Sequence, residues 1–458
     1  MSAKNEIPTH PIPFRALALR SLSDPELRAT LSLVVETFTQ KRQEALAGLP
    51  WEEWRERLSS LRLQILNDLP AFVHLFAARA RAVGATVHQA LDAKSACEIV
   101  TSILREREAR RVVKSKSMIS EEIHLNQHLR EQGIEAIETD LGEYINQLAG
   151  HGPSHLIVPA IHHNRRRIGQ LFAHKLNVPY TEDPVELTRI ARKFLREEFL
   201  RAQAGITGAN FAVAETGSLV LFTNEGNGRL VTTLPPLHLA LVSIDKMIPS
   251  MGDLPLVVRL LPRSATGQIL TSYLSVITGA REAAGSWGAH ELHIVLVDNG
   301  RSRILASPYR EMLKCIRCGA CSNACPIYRL VGGHAYGSTY PGPMGAVLTA
   351  LLEGMERAHP LLDGSTLCGA CAEVCPAKVP LVTLLRRLRE QKVEAGLTPW
   401  VERAAMAGWA CAVRFPLLYR LGKVAAGVVW PVAKRIGRNT VLGRMPDFAP
   451  RFFRRRIW

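Results

Sequence analysis

Seven of the nine cysteines fall in two short runs, each closed by a proline. The first run is Cys315, Cys318, Cys321, Cys325 and Pro326; the second is Cys368, Cys371, Cys375 and Pro376. A thiolate at every third residue lets one tight loop wrap three corners of an iron–sulfur cube. The cysteine one residue further along points away, and the proline starts a new direction. The spacing therefore predicts crossed ligation. Cys315, Cys318 and Cys321 hold one cluster with Cys375, and Cys325 holds the other with Cys368 and Cys371. The second site is one sulfur short, because Ser365 stands where its fourth cysteine belongs. A serine hydroxyl, a water or a three-iron form are the options for that corner.

The bland alternatives fit less well. A zinc site needs only four ligands, and C-x2-C-x2-C-x3-C-P is the spacing of two-cluster bacterial ferredoxins rather than of a zinc ribbon. A disulfide framework suits small secreted chains, whereas this chain has 458 residues and opens on MSAKNEIPTHPIPFRALALR, without the apolar core of a secretory signal. A reducing, cytoplasmic setting is expected. Cys97 and Cys411 stand alone in helix-like stretches and are read as small buried apolar residues.

Three other clusters invite chemistry. In IHHNRRR, His162 and His163 precede three arginines, a set suited to an anion or to a solvated loop. Adjacent histidines in regular structure do not readily face one ion, so no metal is expected there. Glu215, Thr216 and Gly217, then Asn224, Glu225, Gly226, Asn227 and Gly228, are read as turns between strands in preference to an anion-binding loop. Lys114, Ser115 and Lys116 end a strand, and Ser120, Glu121 and Glu122 read as the capped, acidic start of a helix.

The elements that must position these residues divide the chain into four parts. Residues 1–80 are helical by apolar spacing, with Asp24 and Pro25 marking a helix start. Residues 81–305 alternate short β-like runs (ATVHQAL, RRVVKSK, IEAIETD, SHLIVPA, FAVAETGSLVLFT, LALVSI, LHIVLVDN) with helical segments, the signature of an α/β domain on a largely parallel sheet. No G-x-G-x-x-G opens any of these helices, so a dinucleotide site is not supported. Residues 306–380 carry the cysteines, and residues 381–458 form a basic helical tail. Of the net charge of +16, +13 lies between Ala377 and Trp458. So local an excess argues against a nucleic-acid-coating surface. With Trp409 and Trp430 flanking a basic apolar stretch, the tail suits peripheral membrane contact, docking on an acidic partner, or packing on the rest of the chain. No run is long and apolar enough to span a membrane.

Four segments give the chain a family resemblance: ITGANFAVAETGSLVLFTNEGNGRL, ELHIVLVDNGRSR, CIRCGACSNACPIYRLVGGHAYGSTYPGPMGAV and LCGACAEVCP. In that order they resemble the lactate utilization protein B family over nearly the whole chain. The resemblance implies a lactate-utilization domain similar in fold to the sugar-isomerase and CoA-transferase group. It further implies two [4Fe-4S] clusters on the seven cysteines, with a non-cysteine at Ser365 as the usual form. The implied role is electron transfer during oxidation of L-lactate to pyruvate, beside companion proteins A and C and an electron acceptor still to be identified. No residue reads as a hydride acceptor or general base for lactate. The expectation is therefore a carrier subunit; the alternatives are a self-contained oxidoreductase whose α/β domain binds substrate, and a scaffold for companions.

Overall fold

The computed structural model describes residues 10–281 and 288–415. The described residues up to Gln391 pack as one compact unit, and those from Lys392 onward belong to a second.

The first unit opens on helices whose starts follow from local chemistry. Asp24 accepts the N–H of Leu27 at 3.0 Å and Pro25 fills the first helical position, so the helix Pro25–Leu46 starts there. Helices Trp51–Asn67 and Leu69–Ala82 follow, and their apolar stripes, including Leu58, Ile65 and Phe76, face the core.

The α/β region holds two sheets. The strands are β1 (Thr86–Ala90), β2 (Arg111–Lys114), β3 (Glu135–Glu138), β4 (Ala204–Gly208), β5 (Phe211–Val213), β6 (Ser218–Thr223), β7 (Leu237–Ser243), β8 (Met247–Ile248), β9 (Tyr273–Ile277) and β10 (Glu291–Val297). Six of them form a wholly parallel sheet in the order β1-β10-β7-β4-β2-β3. Helical crossovers such as Ala93–Glu106 cover its faces, which is why every residue of central β7 is buried. The smaller sheet runs β8-β5-β6-β9, with β5, β6 and β9 antiparallel.

One expected strand is absent. SHLIVPA forms bends and turns. His155 Nδ1 accepts the N–H groups of Ile157 and Val158 at 3.0 and 3.1 Å, and Pro159 contributes no donor. The backbone is satisfied by a side chain in place of a sheet neighbour. The N-cap after β2 also differs from expectation. Ser117 caps the helix Met118–Glu122, and Glu121 and Glu122 face inward as ion-pair partners rather than sitting as surface acids at a helix start.

The cysteine-bearing region shares the first unit's apolar core, which continues from Ile12 through the small sheet to Leu388. Its last helix, Leu381–Glu394, begins just beyond the second cysteine run. In the second unit the described helix Trp400–Arg414 has no buried residue and exposes Trp400, Met406 and Trp409. Cys411 is therefore exposed, contrary to expectation, because its helix buries no face there. Trp430 and most of the basic tail lie outside the described residues. No described helix is long and apolar enough to cross a membrane.

Candidate metal centre

The cysteine loops are built twice on one pattern. In Arg317-Cys318-Gly319 and again in Leu367-Cys368-Gly369, the residues on both sides of the cysteine have positive φ, 59° and 77° in the first, 54° and 91° in the second. Each loop then enters a short helix, Ala320–Ala324 or Ala370–Glu373. The glycines are there for backbone conformation. A Cβ at Gly369 would meet nothing within 4 Å, yet its φ of +91° disfavours any other residue. Arg317 and Leu367 hold the same strained region with side chains attached, a cost typical of functional loops. The pattern aligns Cys318, Cys321 and Cys325 with Cys368, Cys371 and Cys375, and it aligns Cys315 with Ser365.

The loops interleave. Cys315, Cys318 and Cys321 line a small cavity together with Cys375 from the other run. Burial first, and then the neighbouring thiols, push Cys318, Cys321 and Cys375 above the usual thiol range. Thiols crowded this way resist ionisation until a cation neutralises them, and a donor set of four converging sulfurs fits a metal cluster. Backbone N–H groups already point at the sulfurs: Arg317 at Cys315 Sγ and Val379 at Cys375 Sγ, both at 3.4 Å.

Positive charge surrounds this first centre. The buried Arg62 guanidinium donates to the carbonyls of Met247, Asp245 and Leu313. Arg55 donates to the Cys375 carbonyl at 3.0 Å, and Arg42 to that of Val374 at 3.3 Å. Buried Arg317 pairs with Asp245 at 3.5 Å and lies over the Tyr340 ring at 5.0 Å. Asp245 in turn pairs with Arg301 at 3.2 Å, and Arg301 reaches Glu122. Although burial opposes its ionisation, Asp245 is held well below the carboxylate range by Arg317, Arg301 and Lys246.

The second centre is different. Cys325 and Cys371 are buried, while Cys368 is exposed. Burial, and then Cys325, push the Cys371 thiol up to about 11. Cys368 lies below the usual value through hydrogen bonds from Thr366 and the Ala370 N–H. Cys325 is raised by burial, with Cys368 adding to it. Ser365 Oγ accepts the Leu367 N–H at 3.2 Å, and its carbonyl accepts from Arg389 at 2.6 Å.

Residues 73–297 match the LUD domain family, and residues 311–379 match the 4Fe-4S dicluster domain family. The chain is 44% identical to lactate utilization protein B of Shouchella clausii, over 92% of this chain and 90% of that protein. It belongs to the lactate utilization protein B family. The Bacillus subtilis lactate utilization protein B is 42% identical, over 89% of this chain and 86% of its own length. An Escherichia coli protein named uncharacterized electron transport protein YkgF is also 42% identical, over 90% and 87%. A solved DUF162 family protein from Deinococcus radiodurans aligns with half of this chain and 98% of its own, at 16% identity and a TM-score of 0.30.

In this family member a cavity of about 630 Å³ adjoins the first centre. It opens at the carboxyl ends of β2, β4 and β7, where parallel sheets commonly take ligands, and Ile316 and Arg317 of the first cysteine loop form part of its wall. Asn224, Glu225 and Asn227 line this cavity, against the expectation of a mere turn. Glu215–Gly217 do form a turn, pinned because a Cβ at Gly217 would lie 2.3 Å from the Ala80 nitrogen. Lys116 reaches the cavity and donates to the Ile157 carbonyl at 2.7 Å. Lys114 is buried in ion pairs with Glu138 at 2.8 Å and Glu121 at 3.1 Å. The adjacent histidines also differ from expectation. His162 and His163 lie in irregular backbone, their ring centroids are 4.1 Å apart, and both converge on His151. Burial, and then neighbouring cations and histidines, push His162 down to about 2 and His163 to about 4.

Proposed function

We propose that the chain is the electron-carrying component of a system that oxidises L-lactate to pyruvate, and that it holds two [4Fe-4S] clusters. Cys315, Cys318, Cys321 and Cys375 would hold the first, and Cys325, Cys368 and Cys371 the second. The observation that carries this reading is the interleaving of the two cysteine runs, with Cys375 on the cavity of the first run. Iron–sulfur clusters, when bound, accept and release single electrons. The chain's own residues hold them, exclude water from the first, and tune it. The Arg317 and Val379 N–H groups and the ring of cations stabilise negative charge on the first centre, which favours its reduced form. Exposed Cys368 gives the second centre a surface route for exchange with a partner.

The relatives named lactate utilization protein B support the substrate, and the relative named as an electron transport protein supports the carrier role. Companion proteins A and C would supply the lactate chemistry, and the basic tail would serve peripheral contact with an acceptor at an anionic membrane surface. The domain partition proposed is 81–305 for the α/β domain and 306–380 for the cluster domain.

A second reading is a self-contained oxidoreductase, favoured by the 630 Å³ cavity that shares Ile316 and Arg317 with the first cysteine loop. One experiment separates the two. The anaerobically prepared chain is mixed with L-lactate, alone and with both companions, and bleaching of its visible absorption is followed. The carrier reading expects bleaching only with the companions. Turnover by the chain alone, at the rate of the full set, overturns it.

A further inference from the structure

We propose that His151, His162 and His163 form a second kind of metal site, for a single zinc-class divalent ion, separate from the cysteine centres. One ligating nitrogen from each residue lies within 4.8 Å of the others. The backbone explains the convergence. The helix Leu141–Ala149 ends at Gly150 with φ of 71°, which turns the chain back at His151. His162 and His163 leave a turn just before Asn164 caps the helix Arg165–Leu176. Free of helical or strand geometry, neighbouring rings lean the same way. His151 stacks on His163 at 5.5 Å and 12°, and His162 Nε2 lies 3.4 Å from His151 Nδ1.

His162 Nε2 and His151 Nδ1 are within hydrogen-bond reach of each other, but three other ring nitrogens here lack partners. His162 Nδ1 and both ring nitrogens of His163 are buried without a hydrogen bond among the described residues. Burying unsatisfied nitrogen is costly, and several such atoms at one place call for a common partner. A borderline divalent cation is that partner for imidazole, and the absence of a carboxylate among the three argues against magnesium or calcium. Arg167 does not veto a cation, since Asp24 at 3.4 Å and Glu26 at 3.0 Å pair with it. His334, from the glycine-rich insert between the cysteine runs, donates Nε2–H to the Gly152 carbonyl at 2.9 Å and packs its ring 4.3 Å from His162. It is a positioning residue that ties the insert to the histidine loop. Because His163 also lines the large cavity, the ion would sit at the cavity's edge. Three protein ligands leave a coordination position for water or a substrate oxygen.

The test uses the full-length, cluster-loaded chain. It is incubated anaerobically with zinc, desalted, and assayed for zinc, iron and sulfide by mass spectrometry and colorimetry. About one zinc per chain should be retained with iron and sulfide unchanged. Histidine variants should lose it: His162→Ala with His163→Ala, and separately His151→Ala, whose side chain is exposed and whose loss spares the core. Zinc should also raise the melting temperature of the wild type but not of His151→Ala. No retained zinc, zinc retained equally by the variants, or zinc gained only as iron is lost would each overturn the proposal.

Discussion

The two cysteine centres share a loop but not an environment. Around the first, four cysteines line one cavity, and Arg42, Arg55, Arg62 and Arg317 converge from the helical start and the loop itself. Around the second, three cysteines gather, one of them exposed, and Ser365 takes the place that Cys315 holds in the first. The same local sequence thus gives a sheltered, cation-wrapped centre and an open, ligand-poor one. The difference lies in what the rest of the chain brings to each. It suggests a division of labour, with retention and tuning at the first centre and exchange at the second.

The difference between the two environments should show most at Arg62. Arg62→Met removes the buried guanidinium's hydrogen bonds to three backbone carbonyls beside the first centre and should cost about 3–5 kcal/mol in denaturant unfolding. Arg329→Met, which removes part-buried bonds of 2.7 Å to the Asn323 carbonyl and 3.0 Å to the Thr39 hydroxyl near the second centre, should cost only about 1–2 kcal/mol. Equal costs would show that the two environments do not differ as described.

Acid should act next, at the seam between the α/β domain and the first centre. His155 bridges to Asn323 at 2.9 Å while its other nitrogen accepts two backbone N–H groups, and burial pushes it down to about 4. Its folded value lies below the unfolded one of about 6.5, so the unfolded chain binds more protons between these values. Stability should therefore be insensitive to this group above about pH 6.5 and fall by about 1.4 kcal/mol for each unit of acidification toward 4. His155→Gln should flatten that slope, as read from denaturation midpoints across the range.

How much of this was legible in the sequence depends on distance along the chain. The two cysteine runs were legible from their local spacing, and the structure places Cys375 on the cavity lined by Cys315, Cys318 and Cys321. The parallel sheet was legible from alternating β-like and helical segments. The cations were not, since Arg42 meets the Val374 carbonyl across 332 residues. SHLIVPA imitated a strand because apolar periodicity cannot register that His155 caps its backbone. The convergence of the histidines is hidden from the sequence for the reverse reason: adjacent side chains diverge in helices and strands, and His162 and His163 are in neither. The signal that was available is the pair of prolines, Pro153 and Pro159, that mark the segment as irregular.

Two smaller effects sharpen the contrast. Brief air exposure of the anaerobic protein should remove iron first from the second centre, because its Cys368 is exposed, leaving roughly half of the iron in place. Faster loss of the sheltered centre would reverse the assignment of roles. Ser365→Cys should restore the missing sulfur and slow that air-induced loss, with little change in overall stability. An unchanged rate would mean that the Ser365 corner is not where the second centre is vulnerable.

In the proposed arrangement each centre draws a ligand from the other run. Cys375→Ala and Cys325→Ala are to be prepared anaerobically, with iron counted and the residual centres resolved by electron paramagnetic resonance after reduction. Cys375→Ala should damage the centre of Cys315, Cys318 and Cys321 and leave that of Cys368 and Cys371 intact, and Cys325→Ala should do the opposite. Loss of the sequence-local centre in each variant would contradict the account.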